Sequence, residues 1–153
     1  MADAVRAVRG VGSPPQFVGR EGELGSLLTA LDEAGPVLVY VHGIAGVGKS
    51  ALVSAFADRA RSAGATVVLL DCRSIEPTDR GFIHSLASAV GSRASTLGAV
   101  SERIGRLDHR VVLVLDTYEV FRFLDTWLRE TFIPSLGANV RLVLAGRDRK
   151  SVV

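Results

Sequence analysis

One glycine-rich segment has the residue types and the spacing of a phosphate-binding loop. The pattern G-x-x-x-x-G-K-[ST] is filled by Gly43, Gly48, Lys49 and Ser50, with Gly46 as a further glycine. Glycines let phosphate oxygens approach backbone N–H groups without an obstructing Cβ, and a following helix adds unpaired N–H donors. In such loops the lysine contacts the β- and γ-phosphates, and the hydroxyl coordinates Mg²⁺. The pattern predicts a site for a nucleoside triphosphate, ATP with Mg²⁺. The predicted contacts are Gly43, Ile44, Ala45, Gly46, Val47, Gly48, Lys49, Ser50 and Ala51.

The use of lysine supports a chemical role for the loop. The chain has sixteen arginines and only two lysines, Lys49 and Lys150. Lysine provides a compact, flexible charge where arginine provides a planar fork. A chain that otherwise uses arginine has therefore placed an ammonium group inside the glycine loop.

An acidic residue at the end of a second buried strand is the expected partner of this loop, because Mg²⁺ needs a further ligand. Asp116 ends the apolar run RVVLVLD, on the side of a parallel sheet where ligands bind. We predict that Asp116 and Ser50 hold Mg²⁺; the alternative is that Asp116 caps the next helix.

Two further residues complete the predicted catalytic set with Lys49. Glu119 is predicted to orient or deprotonate the attacking water, although an acid in a first helical turn is also ordinary. Arg147 follows the fourth strand and is predicted to reach the γ-phosphate; a solvated loop arginine is the alternative.

Apolar runs that alternate with helical patterns predict the elements that position these residues. Four runs indicate buried strands, at residues 36–42, 65–71, 110–116 and 139–145. Helical spacing occurs at residues 24–31, 49–63, 81–90, 94–107 and 120–132, and Gly64 is predicted to cap the second of these helices. The expected fold is a three-layer α-β-α core with a parallel sheet. Residues 1–16 are predicted to form a flexible leader and residues 17–153 the domain.

Composition excludes several classes of protein. The net charge of +2, without a basic stripe, argues against direct binding of nucleic acid. The single cysteine, Cys72, excludes an intramolecular disulfide. There is neither a signal-peptide pattern nor an apolar run of membrane-spanning length. We therefore expect a cytoplasmic protein without membrane contact.

With these motifs in their order, residues 17–149 resemble the P-loop core of AAA and STAND ATPases. The resemblance is greatest to the origin-recognition-like ATPase domain at the N-terminus of large bacterial regulators. The segment FVGRE at residues 17–21 matches the short motif before the first helix of that family. The resemblance implies that Val18, Gly19 and Arg20 contact the adenine. It also implies that residues 43–50 are the Walker A loop and Asp116 the Walker B acid, with Arg147 at the sensor position.

Two departures from the family pattern affect the expected activity. The family often has a second acid directly after the Walker B aspartate, where this chain has Thr117. The resemblance also implies a strand order of 5-1-4-3-2, a helical lid and an effector domain, and we expect the fifth strand and the lid to be absent. Residues 36–42 would then form an exposed sheet edge. Self-association, or lid and effector domains beyond residue 153, are the expected partners besides the nucleotide.

The leading hypothesis is a regulatory switch domain that binds and hydrolyses ATP. The main alternative is a domain that binds nucleotide without turnover. A small-molecule phosphotransferase that uses Arg73 and Arg80 is a weaker alternative, because the motif at residues 17–21 argues against it.

Overall fold

A computed structural model of the chain describes residues 4–7, 24–25, 27–31, 38–42 and 47–146. Its centre is a sheet with the strand order β1-β2-β5-β4-β3. The strands are β1 (Ala4–Ala7), β2 (Leu38–His42), β3 (Thr66–Asp71), β4 (Val111–Asp116) and β5 (Val140–Gly146). All neighbours from β2 to β3 pair in parallel, whereas β1 is antiparallel to β2.

The four predicted strands and their order are confirmed. β2, β3, β4 and β5 begin and end within two residues of the apolar runs in the sequence. The order 2-5-4-3 corresponds to the expected 1-4-3-2, with the strand that precedes the glycine loop beside the last strand. Parallel strands with both faces covered are rich in Val, Ile and Leu throughout, which is why these runs were visible in the sequence.

The expectation that β2 is an exposed edge is wrong. β1 pairs with it over four residues, from Ala4 opposite His42 to Ala7 opposite Val39. The sequence did not predict β1, because AVRA is too short and too weakly alternating to indicate a strand. Its hydrogen bonds occupy the edge where the family's fifth strand was expected. The division of the chain at residue 17 stays a prediction.

Alternate residues of β2, β4 and β5 enter two separate apolar cores. On one face, Val112 and Val114 of β4 pack in a cluster with residues 24 and 27 and with the helix after the glycine loop. On the other face, Leu113 and Leu115 pack in a larger cluster with the helices between β3 and β4. The five apolar residues of β4 are buried, and Asp116 at its end is half-buried. Asp116, at the end of β4, thus lies at the boundary between core and solvent.

The helices α1 (Val47–Ser62), α2 (Asp79–Ala89) and α3 (Leu97–Gly105) cover these faces, together with the helical residues 24–25 and 27–28. α1 ends as predicted, because Gly64 has a φ of 96° that a residue with a side chain rarely adopts. Thr78 and Thr96 cap α2 and α3 by accepting hydrogen bonds from N–H groups in the first turn. In the part of the chain that the structure describes, no helix has the length and apolarity needed to cross a membrane.

The helix predicted after β4 is irregular. Residues 118–135 run through a 3₁₀ segment (Tyr118–Leu124), one α-turn (Asp125–Trp127), a π segment (Leu128–Phe132) and a final 3₁₀ turn (Ile133–Ser135). Phe121 has non-helical backbone angles inside this stretch. Its ring and that of Phe132 are nevertheless fully buried, and the predicted apolar stripe faces the core except at Val120, which is 41% exposed. We call residues 118–135 the post-β4 segment.

Candidate functional site

The carboxyl ends of three neighbouring strands form a row at the edge of the sheet where the glycine loop is predicted. β2 ends at His42, directly before residues 43–46, and His42 pairs with Gly146 at the end of β5. β4 lies on the other side of β5 and ends at Asp116, which pairs with Ala145. Ligands of open α/β sheets bind outside the carboxyl ends of the strands. This row is therefore the expected place for a ligand.

α1 begins five residues after the end of β2. α1 begins at Val47, so the predicted contacts Val47, Gly48, Lys49 and Ser50 form its first turn, and Ala51 follows them. The first N–H groups of a helix have no partner within the helix, and the helix dipole favours an anion there. The backbone of this turn is thus able to donate hydrogen bonds to phosphate oxygens.

Several predicted site residues lie outside the described residues: Val18, Gly19, Arg20, Gly43, Ile44, Ala45, Gly46 and Arg147. Their contacts with a nucleotide stay predictions, as do those of the Lys49 and Ser50 side chains.

Asp116 is held at the end of β4 by an unusual turn. Its Oδ1 accepts a hydrogen bond from the backbone N–H of Thr117, at 2.8 Å. Thr117 has left-handed backbone angles (φ 59°, ψ 46°), which are costly for a β-branched residue. Thr117 also occupies the cap position of the post-β4 segment without making a side-chain cap hydrogen bond. The turn redirects the chain within one residue of the acid.

That redirection places Glu119 over the end of β5. A Cβ built on Gly146 would lie 3.0 Å from Glu119 Oε1 and 3.5 Å from the Glu119 backbone nitrogen. Gly146 pairs with His42, so the Glu119 carboxylate lies between the end of β4 and the end of β2. The spacing of Glu119 and Asp116 in the sequence could not establish that the Glu119 side chain extends to this edge. The structure brings Glu119 and Asp116 to the same edge of the sheet.

β3 contributes an ion pair beside these acids. Arg73 donates to both oxygens of Asp71, from Nε at 3.1 Å and from a terminal nitrogen at 3.0 Å. The side-chain and backbone hydrogen bonds from Arg73 hold the pKa of Asp71 below its usual value. The hydrogen bond to Asp71 raises the pKa of Arg73, and the negative charges of Asp116 and Glu119 add to that rise. Arg73 thus lies within electrostatic reach of both predicted site acids.

Cys72 is a buried thiol at this edge. Burial raises the pKa of its thiol far above the usual value. The charges of Asp71, Asp116 and Glu119 raise it further. A thiol kept protonated in this way is a poor nucleophile.

The donor set at this edge fits Mg²⁺ bound together with a nucleotide. Within residues 24–146, as far as the structure describes them, no group of three His, Cys, Asp or Glu is arranged to hold a metal ion. Mg²⁺ usually binds through one or two carboxylates, water and the phosphates of its substrate. Asp116, half-buried at a strand end, provides one such carboxylate.

Sequence reasoning missed Gly146 and Arg73 as parts of this edge. Gly146 follows the last apolar run and has no other signal in the sequence, although its lack of a side chain leaves room for the Glu119 carboxylate. Arg73 was weighed only as part of an acceptor site. Arg73 lies two residues after Asp71, the aspartate that ends β3, and this spacing could have indicated their ion pair.

Comparison with known proteins decides the family. A family model described as the AAA ATPase domain matches residues 16–144. The chain belongs to the AAA ATPase domain family. No protein of curated function matches the sequence. The family assignment confirms the resemblance seen in the motifs, and it makes this chain a nucleotide-binding ATPase domain.

Solved structures with the same fold agree with this AAA assignment. The Cdc6p protein of Pyrobaculum aerophilum is 18% identical, with a TM-score of 0.59, and the match covers 90% of this chain and 41% of that protein. The ORC2 protein of Aeropyrum pernix, in its ADP form, is 15% identical with a TM-score of 0.61, covering 90% and 44%. A chain of Drosophila ORC bound to DNA is 12% identical with a TM-score of 0.58, covering 86% and 78%. The AAA domain described here thus spans less than half the length of the first two proteins.

Proposed function

We propose that this AAA domain binds Mg·ATP at the carboxyl edge of its sheet and hydrolyses it as a regulatory switch. The observation that carries the proposal is the position of Glu119. Its carboxylate lies against Gly146, between the strand that ends in Asp116 and the strand that leads into the glycine loop. A nucleotide held by residues 43–50 would place its terminal phosphate near this carboxylate.

The other site residues have roles that follow from their chemistry. The Lys49 ammonium would contact the β- and γ-phosphates, while N–H groups of residues 43–50 surround the phosphate oxygens. Ser50 and Asp116 would hold Mg²⁺, which when bound neutralises charge that develops on the phosphates. Arg147 would contact the γ-phosphate. The segment at Val18, Gly19 and Arg20 would contact the adenine.

Glu119 is suited to act on the attacking water. A base in this position accepts the proton of water, or orients it, as the oxygen approaches phosphorus. Glu119 is half-buried, and in this proposal a water molecule lies between its carboxylate and the phosphate. Asp116, whose Oδ1 accepts a hydrogen bond from the Thr117 N–H, would instead serve as a ligand of Mg²⁺.

The regulatory role rests on the relatives. The first two structural relatives are more than twice as long as this domain, so their AAA domains work beside other parts of the chain. A conformational change between ATP and ADP states could be passed to such an effector part, or to another copy of the domain. One relative was solved bound to DNA; with no basic stripe here, we expect DNA contact only through other domains. A cytoplasmic location stays a prediction.

A second candidate is a domain that binds nucleotide without turnover. It is favoured by Thr117, because the family often has a second acid at this position and this chain has none there. A phosphotransferase that uses Arg73 is disfavoured, since Asp71 already engages that guanidinium from both oxygens.

Single-turnover hydrolysis separates these candidates. The rate of ATP cleavage by excess protein is measured for the parent chain and for Glu119→Gln, together with the affinity of each for labelled ATP. We expect Glu119→Gln to bind as tightly as the parent and to cleave about 10²–10⁴-fold more slowly, the usual contribution of a general base. Equal background rates in both proteins would favour the binding-only candidate.

A further inference from the structure

A chain of buried hydrogen bonds runs through the post-β4 segment, close to Glu119. The Tyr118 hydroxyl donates to Asp125 Oδ1 at 2.6 Å, and Arg129 Nε donates to Asp125 Oδ2 at 2.9 Å. The Tyr118 and Asp125 side chains are buried, with exposures of 1% and 8%, whereas the Arg129 side chain is 45% exposed. A buried carboxylate is retained only when its oxygens are satisfied, and here each oxygen has a donor.

The local backbone does not hold this segment in place by itself. It begins with the left-handed Thr117 and lacks a side-chain cap, and its first turns are 3₁₀ with non-helical angles at Phe121. Such conformations persist only where the surroundings determine them. The Tyr118 side chain provides that constraint: its ring packs edge-to-face on Phe121, with centroids 6.2 Å apart, and its hydroxyl donates a hydrogen bond to Asp125, seven residues further on.

Tyr118 directly precedes Glu119 in the chain, and both residues lie against Gly146 of β5. A Cβ on Gly146 would lie 3.8 Å from the Tyr118 Cβ and 3.0 Å from Glu119 Oε1. Both residues therefore rest on the same point of β5. A shift of the Tyr118 ring toward or away from the core would move the adjoining Glu119 backbone, and with it the carboxylate.

We propose that Tyr118 and Asp125 are positioning residues that hold the Glu119 carboxylate at the nucleotide edge of the sheet. The proposal rests on the proposed role of Glu119 in hydrolysis. Neither residue is available to bind the substrate, because the Tyr118 ring is in the core and both Asp125 oxygens are occupied. Arg129, at the exposed end, completes the network by balancing the charge of the buried carboxylate.

The Tyr118 hydroxyl serves this network as a neutral hydrogen-bond donor. Burial, and next the hydrogen bond to Asp125, raise the pKa of the Tyr118 hydroxyl. The hydroxyl therefore remains a neutral donor at every pH where the protein works.

The test uses Tyr118→Phe, which removes one oxygen and leaves the ring in the core. Single-turnover hydrolysis at saturating Mg·ATP should become about tenfold slower. The rate of an enzyme falls by about 10²-fold when a catalytic group is displaced by about 1 Å. The Kd for labelled ATP should stay within about twofold, because the phosphate loop is untouched. Asp125→Asn should slow hydrolysis in the same way.

A double-mutant cycle shows whether the effect passes through Glu119. If Tyr118 acts by positioning Glu119, Tyr118→Phe will have no further effect on the rate in a Glu119→Gln background. An additional tenfold loss in the double variant would overturn the proposal. Loss of ATP affinity in parallel with the rate would also overturn it, since that indicates general disruption of the site.

A matched control and a second readout complete the test. Glu102→Gln removes the acid of an exposed pair with Arg106 at the same i, i+4 spacing as Asp125 and Arg129, and should leave hydrolysis unchanged. In protein labelled with ¹³C at glutamate carboxyl groups, the Glu119 resonance is identified by its loss in Glu119→Gln. It should shift in Tyr118→Phe without any nucleotide, and an unchanged resonance would refute the positioning role. If Glu119→Gln hydrolyses ATP at the parent rate, the proposed function fails, while this resonance still decides whether Tyr118 positions Glu119.

Discussion

A methyl group added at Gly146 should disturb the proposed catalytic carboxylate and very little else. The Cβ of an alanine there would lie 3.0 Å from Glu119 Oε1, whereas the nearest backbone atom of Glu119, its nitrogen, would be at an ordinary contact distance of 3.5 Å. Gly146 lacks the positive φ seen at Gly64 and Gly91, so alanine fits its backbone conformation. The strain therefore falls on the end of a flexible side chain.

The size of the effect follows from this geometry. Ordinary van der Waals contact begins near 3.4 Å, so the carboxylate must move by roughly 0.4 Å. If a displacement of about 1 Å costs about 10²-fold in rate, this shift should cost about sixfold, or about 1 kcal/mol in activation free energy. The free energy of unfolding should change by less than about 1 kcal/mol, because replacing glycine by alanine at a compatible position restricts the unfolded chain.

The assay compares single-turnover ATP cleavage, ATP affinity and urea denaturation for the parent and for Gly146→Ala. We expect slower cleavage with unchanged affinity and nearly unchanged stability. Gly98→Ala is the matched control, since nothing lies within 4 Å of a Cβ at that position in α3, and it should cleave ATP at the parent rate. Parent-like cleavage by Gly146→Ala, in a protein whose Glu119→Gln variant is inactive, would refute the placement of Glu119 against β5.

Three further predictions concern the rest of the domain. Gly81→Ala should lower the free energy of unfolding by about 1–3 kcal/mol, because the added Cβ would lie 2.6 Å from a backbone oxygen. Gly98→Ala should raise the free energy of unfolding by about 0.5–1 kcal/mol. Equal urea midpoints for these two variants would contradict the prediction. Phe82→Ala should cost about 3–5 kcal/mol because the ring is fully buried, and Phe123→Ala, at a side chain that is 93% exposed, should stay within about 0.5 kcal/mol. Because burial raises the pKa of Cys72, iodoacetamide at about pH 8 should alkylate it only after denaturation, as mass spectrometry would show; rapid alkylation of the folded protein would contradict its burial.

The elements with long, uniform apolar patterns could be predicted from the sequence. Val111–Asp116 consists of five buried apolar residues and one acid, a pattern that few structures other than a central parallel strand produce. Because Asp116 is the last residue of this run, the sequence also predicts its location at the end of the strand. Gly64 likewise marked the end of α1, since its positive φ is a conformation that favours glycine.

The position of Glu119 could not be predicted, because it depends on a break in regular structure. Periodicity between residues 120 and 132 predicts one helix, whereas the chain follows 3₁₀, α and π turns. The left-handed Thr117 has no sequence signal, since threonine is an improbable residue for that conformation. Tertiary contacts hold the path, among them the packing of Tyr118 in the core and its hydrogen bond to Asp125.

β1 shows a different limit of sequence reasoning. Ala4–Ala7 has one β-branched residue and gains its structure from pairing with β2. Strand pairing between distant segments depends on an available edge, which a local pattern does not reveal. By contrast, the i, i+4 spacing of Asp125 and Arg129 was visible in the sequence and could have indicated their ion pair.

The most direct test of nucleotide binding is a titration of the chain with labelled ATP in the presence of Mg²⁺, comparing the parent with Lys49→Ala and Lys150→Ala. These are the only two lysines in the chain, so the second variant is a matched control for the loss of one ammonium group. A charged hydrogen bond to phosphate contributes about 1.5–3 kcal/mol, so Lys49→Ala should weaken binding by about 10- to 100-fold. Lys150→Ala should bind like the parent. If Lys49→Ala binds Mg·ATP as tightly as the parent, the proposed nucleotide site is wrong.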